Sequence, residues 1–353
     1  MITPPATGPR ASDASNAPTP VDFAAPTLGA SDAFAAAVAS SPAVRAFRNW
    51  QEQSRLLERL QVVFLFGPPK CGTTWVQRLM NAHPNVIAAG ESHLADSLLV
   101  RLQQAVAAHN QAQTGMKRST KPGKQAEHLL VSNLDLTLLA RQALDRVLIG
   151  YIRADAASGT RDPSRPLLAV MDKTPGTGPF IDALHALYPW ARFVCITRDV
   201  RDAAVSAYFH RQLLGELGSF TSPDQFAPAF ASDVWGPAML HARLAARRLP
   251  NAHYAETSYE ALKDRPEQEL ARLLGILGLP ADKATVRTCV ERSDFRSLTG
   301  REPGQEAANY FRKGVVGDWR NHLSESAAAQ AQHIGEMFLS KAATSSAIGV
   351  AAA

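Results

Sequence analysis

Residues 62–75 read VVFLFGPPKCGTTW. An apolar run is followed by a short loop and then by the start of a segment that contains both polar and apolar residues. The five apolar residues 62–66, followed directly by Gly and Pro, predict a strand that is buried on both faces of a parallel sheet. From Thr73 onward the apolar residues recur at helical spacing. Gly72 lets the backbone approach a ligand closely, and a helix start offers unpaired N–H groups and the positive end of a dipole. The stretch therefore predicts a phosphate-binding loop in an α/β fold.

The order of residues inside this loop is unusual. In the loop of nucleoside triphosphatases, G-x-x-x-x-G-K-[ST], the lysine follows the second glycine. Here Lys70 precedes Gly72, and Thr73 and Thr74 come next. The loop can hold a phosphate, because it combines a cation, two hydroxyls and helix N–H groups. It places its cation differently, however, and this separates it from the triphosphatase class.

Further strand candidates are spread along the chain. They lie at 167–171 (LLAVM), 192–197 (RFVCIT) and 253–257 (HYAET), with a shorter one inside 83–93 (HPNVIAAGESH). Helical patterns separate them, and this alternation predicts a three-layer α/β/α fold with a central parallel sheet. Residues 45–340 contain no internal repeat or linker, so we expect a single domain there.

The two ends differ from this central part. Residues 1–44 are rich in Ala, Pro, Ser and Thr without periodicity, which predicts a disordered arm. Residues 341–353 are predicted to be an Ala-rich tail. A basic segment broken by Gly and Pro at 114–124 (TGMKRSTKPGK) predicts a surface loop that could act as a lid.

Composition limits the class of protein. The chain has 353 residues, of which 46% are hydrophobic, and this suits a globular core. No apolar run reaches the roughly 18 residues of a membrane span. Three cysteines, an odd number, favour reduced thiols and a cytoplasmic location. The net charge of +5 suits an anionic ligand, and no basic run or module indicates a nucleic-acid partner.

Two later segments carry anion-binding residues. Arg198 follows the 192–197 strand, at the strand end where parallel sheets collect ligands, and Ser206 lies two turns into the next helix. An arginine fork suits a phosphate, and a serine hydroxyl can share its oxygens. In residues 311–321 (FRKGVVGDWRN), Arg312 and Lys313 precede a glycine and form a small cationic turn.

Together these segments resemble the cytosolic sulfotransferases, which use 3′-phosphoadenosine 5′-phosphosulfate (PAPS). Residues 69–75 (PKCGTTW) resemble the 5′-phosphosulfate loop of that family, and 197–210 (TRDVRDAAVSAYFH) resemble its 3′-phosphate element. Residues 312–321 are similar to its C-terminal loop. Two weaker similarities are 258–263 (SYEALK) and 292–298 (RSDFRSL). The resemblance spans residues 62–323 in the expected order.

The resemblance implies an in-line transfer of a sulfuryl group from PAPS to a hydroxyl or amine, with adenosine 3′,5′-bisphosphate (PAP) as the product. It implies that Lys70 stabilises the leaving phosphate and that no metal is needed, since the transferred group has a low charge. Trp75 and Tyr259 would contact adenine. The residues that the resemblance assigns to donor binding are Lys70, Cys71, Gly72, Thr73, Thr74, Trp75, Arg198, Ser206, Tyr259, Ser293, Phe295, Arg312, Lys313 and Gly314.

The general base does not match the family pattern. A hydroxyl acceptor loses its proton during transfer, and the cytosolic family places a histidine after a Lys-Thr pair. Here Pro175 stands at that position. Glu91 and His93 are predicted jointly as the first replacements, and Asp172 is a third candidate. Asp172 could instead be an ion-pair partner for one of the lysines, Lys173 or Lys70.

Other functions remain open from the sequence alone. A P-loop phosphotransferase that uses ATP and Mg²⁺ is the first alternative, and a non-catalytic binding module on the same fold is the second.

His83, His109 and His210 are predicted to be structural, because none has a second ligand at metal spacing. The acceptor could be a small molecule, a glycan or a lipid headgroup, bound by residues 94–130 and 210–240. A homodimer is compatible with the sequence.

Overall fold

The computed structural model describes residues 40–115 and 130–344. Five strands form one parallel sheet in the order β2–β3–β1–β4–β5. Their bounds are β1 Gln61–Phe66, β2 Val86–Ala89, β3 Ala169–Lys173, β4 Arg192–Thr197 and β5 Tyr254–Ser258. Because β1 is central and all strands are parallel, the carboxyl ends of β3, β1 and β4 lie side by side.

Helices connect and flank the strands. In chain order they are α1 Pro42–Leu57, α2 Thr73–Asn81, α3 Val100–Gly115, α4 Asn133–Ser158, α5 Ile181–Leu187, α6 Val200–Leu214, α7 Pro223–Phe230, α8 Gly236–Ala246, α9 Tyr259–Asp264, α10 Pro266–Ile276, α11 Lys283–Arg292, α12 Phe295–Thr299 and α13 Glu325–Thr344. A π-helical segment, Leu94–Leu99, precedes α3, and a second one, Ala231–Trp235, joins α7 to α8. Short 3₁₀ segments lie at Pro175–Phe180, Asn251–His253 and Asp318–Asn321.

The sheet has a hydrophobic core on each face. Along β1, Phe64 packs in a cluster that includes Leu144 of α4, whereas Leu65 packs in a separate cluster with Val76 of α2 and Leu270 of α10. Alternate strand residues point to opposite faces, so a strand with helices on both sides must be apolar throughout. The predicted three-layer α/β/α fold with a central parallel sheet is confirmed.

The strand predictions differ from the structure mainly in their ends. β4 has the predicted bounds, but β3 begins at Ala169 and extends to Lys173, two residues beyond the predicted end. The extension follows from pairing, because Lys173 lies opposite Leu65 of the central strand. Asp172 and Lys173 therefore belong to the strand itself, at the edge of the sheet where the phosphate-binding loop begins.

Several predicted segments lie outside the described residues. These are residues 1–39 of the arm, 116–124 of the basic loop with residues 125–129 after it, and 345–353 of the tail. α1 begins at Pro42 and α13 ends at Thr344, so the boundaries drawn at 44 and 341 fall inside helices. Within residues 40–115 and 130–344, no helix combines the length and the apolar character that crossing a bilayer requires.

Candidate functional site

The loop between β1 and α2 has the geometry of an anion cradle. Gly72 is the N-cap of α2 and has φ 103°, a conformation that strongly favours glycine. A Cβ atom at this position would lie 2.9 Å from the Tyr259 ring, so the backbone must approach that ring without a side chain. Lys70 also adopts a positive φ of 68°. The first residues of α2, Thr73 and Thr74, thus line a ligand space at the positive end of the helix dipole.

This loop lines a cavity of about 210 Å³ at the carboxyl ends of the strands. Segments from four distant parts of the chain meet there: the loop after β1, the start of α6, the start of α9, and the stretch from α12 to residue 318. The predicted donor-binding residues that line it are Lys70, Gly72, Thr73, Thr74, Trp75, Arg198, Ser206, Tyr259, Phe295, Arg312, Lys313 and Gly314.

Two predicted donor-binding residues do not line the cavity. Cys71 is fully buried, and burial raises the pKa of its thiol to about 12, so only its backbone could serve a ligand. The Ser293 side chain is also buried, and its carbonyl oxygen accepts a 2.9 Å hydrogen bond from Trp75 Nε1. In the structure Ser293 therefore orients the indole ring rather than offering a hydroxyl to the cavity.

Positive charge is concentrated around Lys70. Burial lowers the pKa of Lys70 to about 8, and the charges of Arg198, Lys173 and Arg312 act in the same direction. The charge of Glu91 opposes this shift. Because neighbouring cations disfavour its protonated form, Lys70 lies where a bound anion would relieve the repulsion.

Arg198 is held by backbone carbonyls at the end of β4. Its guanidinium donates to the Val315 carbonyl oxygen at 3.0 Å and lies 4.3 Å from the Tyr259 ring centroid. The Asp202 carboxylate lies 3.8 Å from it. Its Nε is buried without a hydrogen-bond partner among the described residues. A buried donor without a hydrogen-bond acceptor costs about 1–3 kcal/mol, so Arg198 is held in the cavity wall at some cost to stability.

The C-terminal cationic turn is organised by Asp318. Lys313 Nζ donates to this carboxylate at 2.6 Å, and the Arg312 guanidinium also binds it. Although burial opposes ionisation, hydrogen bonds from Lys313, Asn321 and Arg312 hold the pKa of Asp318 well below its ordinary value. Arg312 also pairs with Glu306 at 2.6 Å. Both cations are thus partly neutralised and held in position before any ligand binds.

Sequence reasoning missed Tyr310. Its hydroxyl hydrogen-bonds the Thr74 hydroxyl at 2.8 Å, and its ring lies 4.1 Å from Lys70 Nζ. Nearly half of its surface is exposed. The aromatic residue just before the cationic turn was the available signal, but nothing local shows that the ring reaches the loop after β1.

Lys173 is a second residue that sequence reasoning did not select. Its ammonium donates to Glu91 at 2.6 Å and to the Thr74 hydroxyl at 3.3 Å, and its side chain is only 5% exposed. The signal was its position at the end of β3, next to β1. It adds a cation beside the hydroxyls of the phosphate-binding loop.

None of the three predicted general bases lines the cavity. Glu91 is bound to Lys173, and His93 is exposed, 3.0 Å from Asp96 and 3.8 Å from Glu91. Both follow β2, as predicted, and neither lines the cavity, although Glu91 is close enough for its charge to act on Lys70.

Asp172 has partners other than the predicted ones. It accepts hydrogen bonds from Tyr151 at 2.8 Å and Thr174 at 2.9 Å, and it pairs with neither Lys173 nor Lys70. Burial raises its pKa. The predicted ion pair is therefore wrong, because the strand register directs its carboxylate towards α4. Among the described residues, no group of three His, Cys, Asp or Glu side chains could hold a metal ion.

Comparison with known proteins places the chain in a family. The model of the sulfotransferase family matches residues 62–283, more than half of the chain. The chain belongs to the sulfotransferase family. This membership does not favour the phosphotransferase alternative. The loop sequence agrees, because Lys70 precedes Gly72, whereas the lysine of a P-loop phosphotransferase follows the second glycine.

Relatives of this sulfotransferase-family chain are distant. It is 29% identical to Sulfotransferase 6B1 of Danio rerio over 157 residues, which cover 43% of the chain and 52% of the relative. It is 24% identical to Cytosolic sulfotransferase 5 of Arabidopsis thaliana over 301 residues, 80% of each chain. The chain thus spans about half the length of the first of these relatives.

The structure of this chain is similar to that of a mouse sulfotransferase, SULT7A1 complexed with PAP, with 16% sequence identity and a TM-score of 0.47. The similarity covers 81% of this chain and 85% of that one.

Proposed function

We propose that the protein is a PAPS-dependent sulfotransferase that transfers a sulfuryl group to a hydroxyl or amine acceptor. The observation that carries this proposal is one cavity in which the cations of all three predicted anion segments meet. Lys70 comes from the loop after β1 together with the threonine hydroxyls, and Lys173 bonds the Thr74 hydroxyl, whereas Arg198 and the 312–313 turn come from separate elements. A ligand with two separate anionic groups fits this distribution of charge.

The residues present fit such a donor. Lys70, Thr73 and Thr74 with the N-terminus of α2 would hold the 5′-phosphosulfate. Arg198, whose buried Nε lacks an acceptor among the described residues, would bind the 3′-phosphate together with Ser206, Arg312 and Lys313. The aromatic rings of Trp75, Tyr259 and Phe295 line the same cavity and would receive the adenine.

Catalysis would depend chiefly on positioning and on charge. The acceptor oxygen forms a bond to sulfur, the bond from sulfur to the bridging oxygen breaks, and the electron pair stays on the 5′-phosphate. Lys70 would stabilise the negative charge that develops on that oxygen, because a buried cation acts more strongly than one in water. With a pKa of about 8 it still carries its proton at neutral pH.

Thermal unfolding with two ligands tests the proposal directly. PAP should stabilise the protein by about 2.7 kcal/mol at one hundred times its dissociation constant, and ATP with Mg²⁺ should stabilise it less at equal concentration. Transfer of ³⁵S from labelled PAPS to a panel of phenols, alcohols and amines then measures the activity. Greater stabilisation by ATP with Mg²⁺, together with phosphoryl transfer, would instead support a kinase.

Two variants separate chemistry from binding. Lys70→Ala should lower turnover by about 10²–10³-fold, since it removes stabilisation of the leaving phosphate. Arg198→Ala should mainly weaken PAP binding, by about 10-fold or more, since it removes a charged hydrogen bond worth about 1.5–3 kcal/mol. Near-normal turnover of Lys70→Ala would contradict the proposed mechanism.

A further inference from the structure

A second cavity, of about 300 Å³, adjoins the first. Lys70, Ser206, Tyr310 and Arg312 line both cavities. The two spaces therefore meet at Lys70, which the proposed function places at the transferred group, and at Ser206 and Arg312, which it places at the 3′-phosphate. The remaining walls are one face of α6 and the segment 306–309. Trp75, Tyr259 and Phe295 do not line this second cavity, so an acceptor there would contact Lys70 without occupying the proposed adenine site.

His210 lies in the wall formed by α6. Its ring contacts the Tyr310 ring edge-on, with a centroid distance of 5.6 Å and an interplanar angle of 85°. The His210 side chain is half-buried, and its Nδ1 is buried without a hydrogen-bond partner among the described residues. The sequence predicts a structural role for His210. A structural histidine usually has its buried nitrogen hydrogen-bonded, but no group in the described part of the chain bonds this one.

None of the predicted bases lines either cavity. Glu91, His93 and Asp172 are absent from both linings, and each already has a partner in the protein. Glu306 does line the second cavity, but its carboxylate is bound by Arg312. His210 therefore combines a place beside Lys70 with a ring that the described residues leave available to a ligand.

We propose that His210 is the general base that deprotonates the acceptor in the second cavity. This inference rests on the proposed sulfotransferase function. In the step, the acceptor O–H proton moves to Nε2 of His210 as the acceptor oxygen bonds to sulfur. The bond from sulfur to the bridging oxygen breaks, a sulfate ester forms, and PAP leaves with the electron pair. His210 then returns its proton to water.

The charges around His210 favour its neutral form before transfer. Burial lowers its pKa, and the positive charge of Lys70 lowers it further. Glu216 and Glu91 act in the opposite direction, and Arg211 on the same helix acts with Lys70. Across the cavity it also faces the ion pair of Glu306 and Arg312. A neutral imidazole can accept a proton, which is what a general base at neutral pH requires.

The lining also indicates the class of acceptor. Phe209, Leu213 and Tyr310 supply apolar surface, and Leu213 and Tyr310 are both about half exposed at the cavity wall. Gln212 and Asn309 add neutral amides. A neutral acceptor with an apolar or aromatic body and one hydroxyl fits these walls better than a highly charged one.

The test compares acceptors of different acidity. With a neutral alcohol such as benzyl alcohol, His210→Gln should lower kcat by about 10²–10⁴-fold, because the alcohol cannot lose its proton unaided. With 4-nitrophenol assayed above its own pKa, the same variant should keep nearly the full rate. The affinity for PAP, measured by calorimetry, should be unchanged. The acidic limb of the kcat/KM profile of the wild-type enzyme should disappear in the variant.

His241→Gln is the matched control, because His241 is an exposed histidine on α8 that lines neither cavity. It should leave both acceptor rates and the pH profile unchanged. An equal loss with both acceptors, or a full rate of His210→Gln with the alcohol, would overturn the role of His210 while sulfuryl transfer by the wild type still stands. Failure of the wild type to transfer a sulfuryl group to any acceptor would overturn the proposed function, and this inference with it.

Discussion

At the scale of single residues, the cationic side chains of the site differ in whether a carboxylate of the protein already neutralises their charge. Lys173 is bound to Glu91, and Lys313 to Asp318. Lys70 has no carboxylate within 4 Å in the part of the chain that the structure describes, and it contacts the face of Tyr310. Paired cations keep their position whether or not a ligand is present. An uncompensated one gains most from an arriving anion, and this suits Lys70 for the group that transfers.

The pKa of Lys70 makes donor binding pH-dependent. Its folded-state pKa of about 8 is lowered from 10.5, so it is protonated at pH 7 and loses its charge as pH rises through 8. An anionic ligand prefers the charged form, so PAP affinity should fall above pH 8, by at most about tenfold per pH unit for one proton. Calorimetric titration with PAP from neutral to alkaline pH measures the slope.

Lys70→Arg should flatten this slope, because arginine stays charged throughout the range. Lys263, a second lysine of the cavity whose pKa burial lowers, provides the control. Lys263→Arg should leave the slope in place. A slope that persists in Lys70→Arg and disappears in Lys263→Arg would assign the titration to Lys263.

Among the helices and loops, the segment 311–318 is fixed by partners far away in sequence. Asp202 on α6 accepts hydrogen bonds from the backbone N–H groups of Gly317 at 2.6 Å and Trp319 at 3.0 Å. Asp202 lies in the first turn of α6. The structure shows that it joins the segment bearing Arg312 to the helix that follows Arg198, so the two arginines are positioned together.

Gly314 is a position where this segment tolerates little change. Its φ is 67°, and a Cβ atom there would overlap the Phe295 ring. Gly314→Ala should therefore displace either the cationic turn or a ring that lines the cavity. Because misplacing binding groups by about 1 Å can cost 10²-fold, we expect PAP affinity to fall by about tenfold or more.

Gly304→Ala separates backbone strain from crowding. Gly304 also has a positive φ, of 95°, but a Cβ atom there would have no neighbour within 4 Å among the described residues. Calorimetry should give this variant a PAP affinity close to that of the wild type. Equal losses in both variants would show that backbone strain, rather than contact with Phe295, controls the segment.

Across the entire protein, a buried carboxylate ties the first helix to the domain. Asp145 of α4 is fully buried and accepts hydrogen bonds from Ser54 of α1 at 2.5 Å, Arg141 at 2.7 Å and Tyr188 at 2.8 Å. Trp50 of α1 donates to it at 3.3 Å. These contacts lie on one face of the sheet and away from both cavities.

Asp145→Ala should destabilise the protein by about 3–5 kcal/mol, since it removes the buried carboxylate that pairs with Arg141 and accepts hydrogen bonds from Ser54 and Tyr188. Asp182→Ala removes the exposed ion pair with Arg248 and should cost less than about 1 kcal/mol. Urea unfolding of both variants measures the difference, and PAP affinity at low temperature should be unchanged in each. Similar stabilities of the two variants would contradict a structural role for Asp145.

Much of the site was predictable because its motifs sit at strand ends. The loop after β1 and Arg198 after β4 line one cavity, since parallel strands bring their carboxyl ends to one edge. The turn at 312–314 follows no strand, and it lines the same cavity because its segment packs against α6. Glu91 and His93 follow β2 at one edge of the sheet and do not line the cavity, whereas Tyr259, after the other edge strand β5, does. A strand-end position alone therefore does not decide which side chains line the cavity.

Local sequence was sufficient to establish the parallel sheet, the phosphate-binding loop and the family, because buried strands and anion-binding loops depend on residues that are close together in the chain. Three relations emerged only from the folded chain: which strands are neighbours, that Tyr310 covers Lys70, and that His210 faces the second cavity. Such relations join residues separated by a hundred positions or more, as with Thr74 and Tyr310. No local pattern encodes these contacts, since they arise when the helices pack on the sheet.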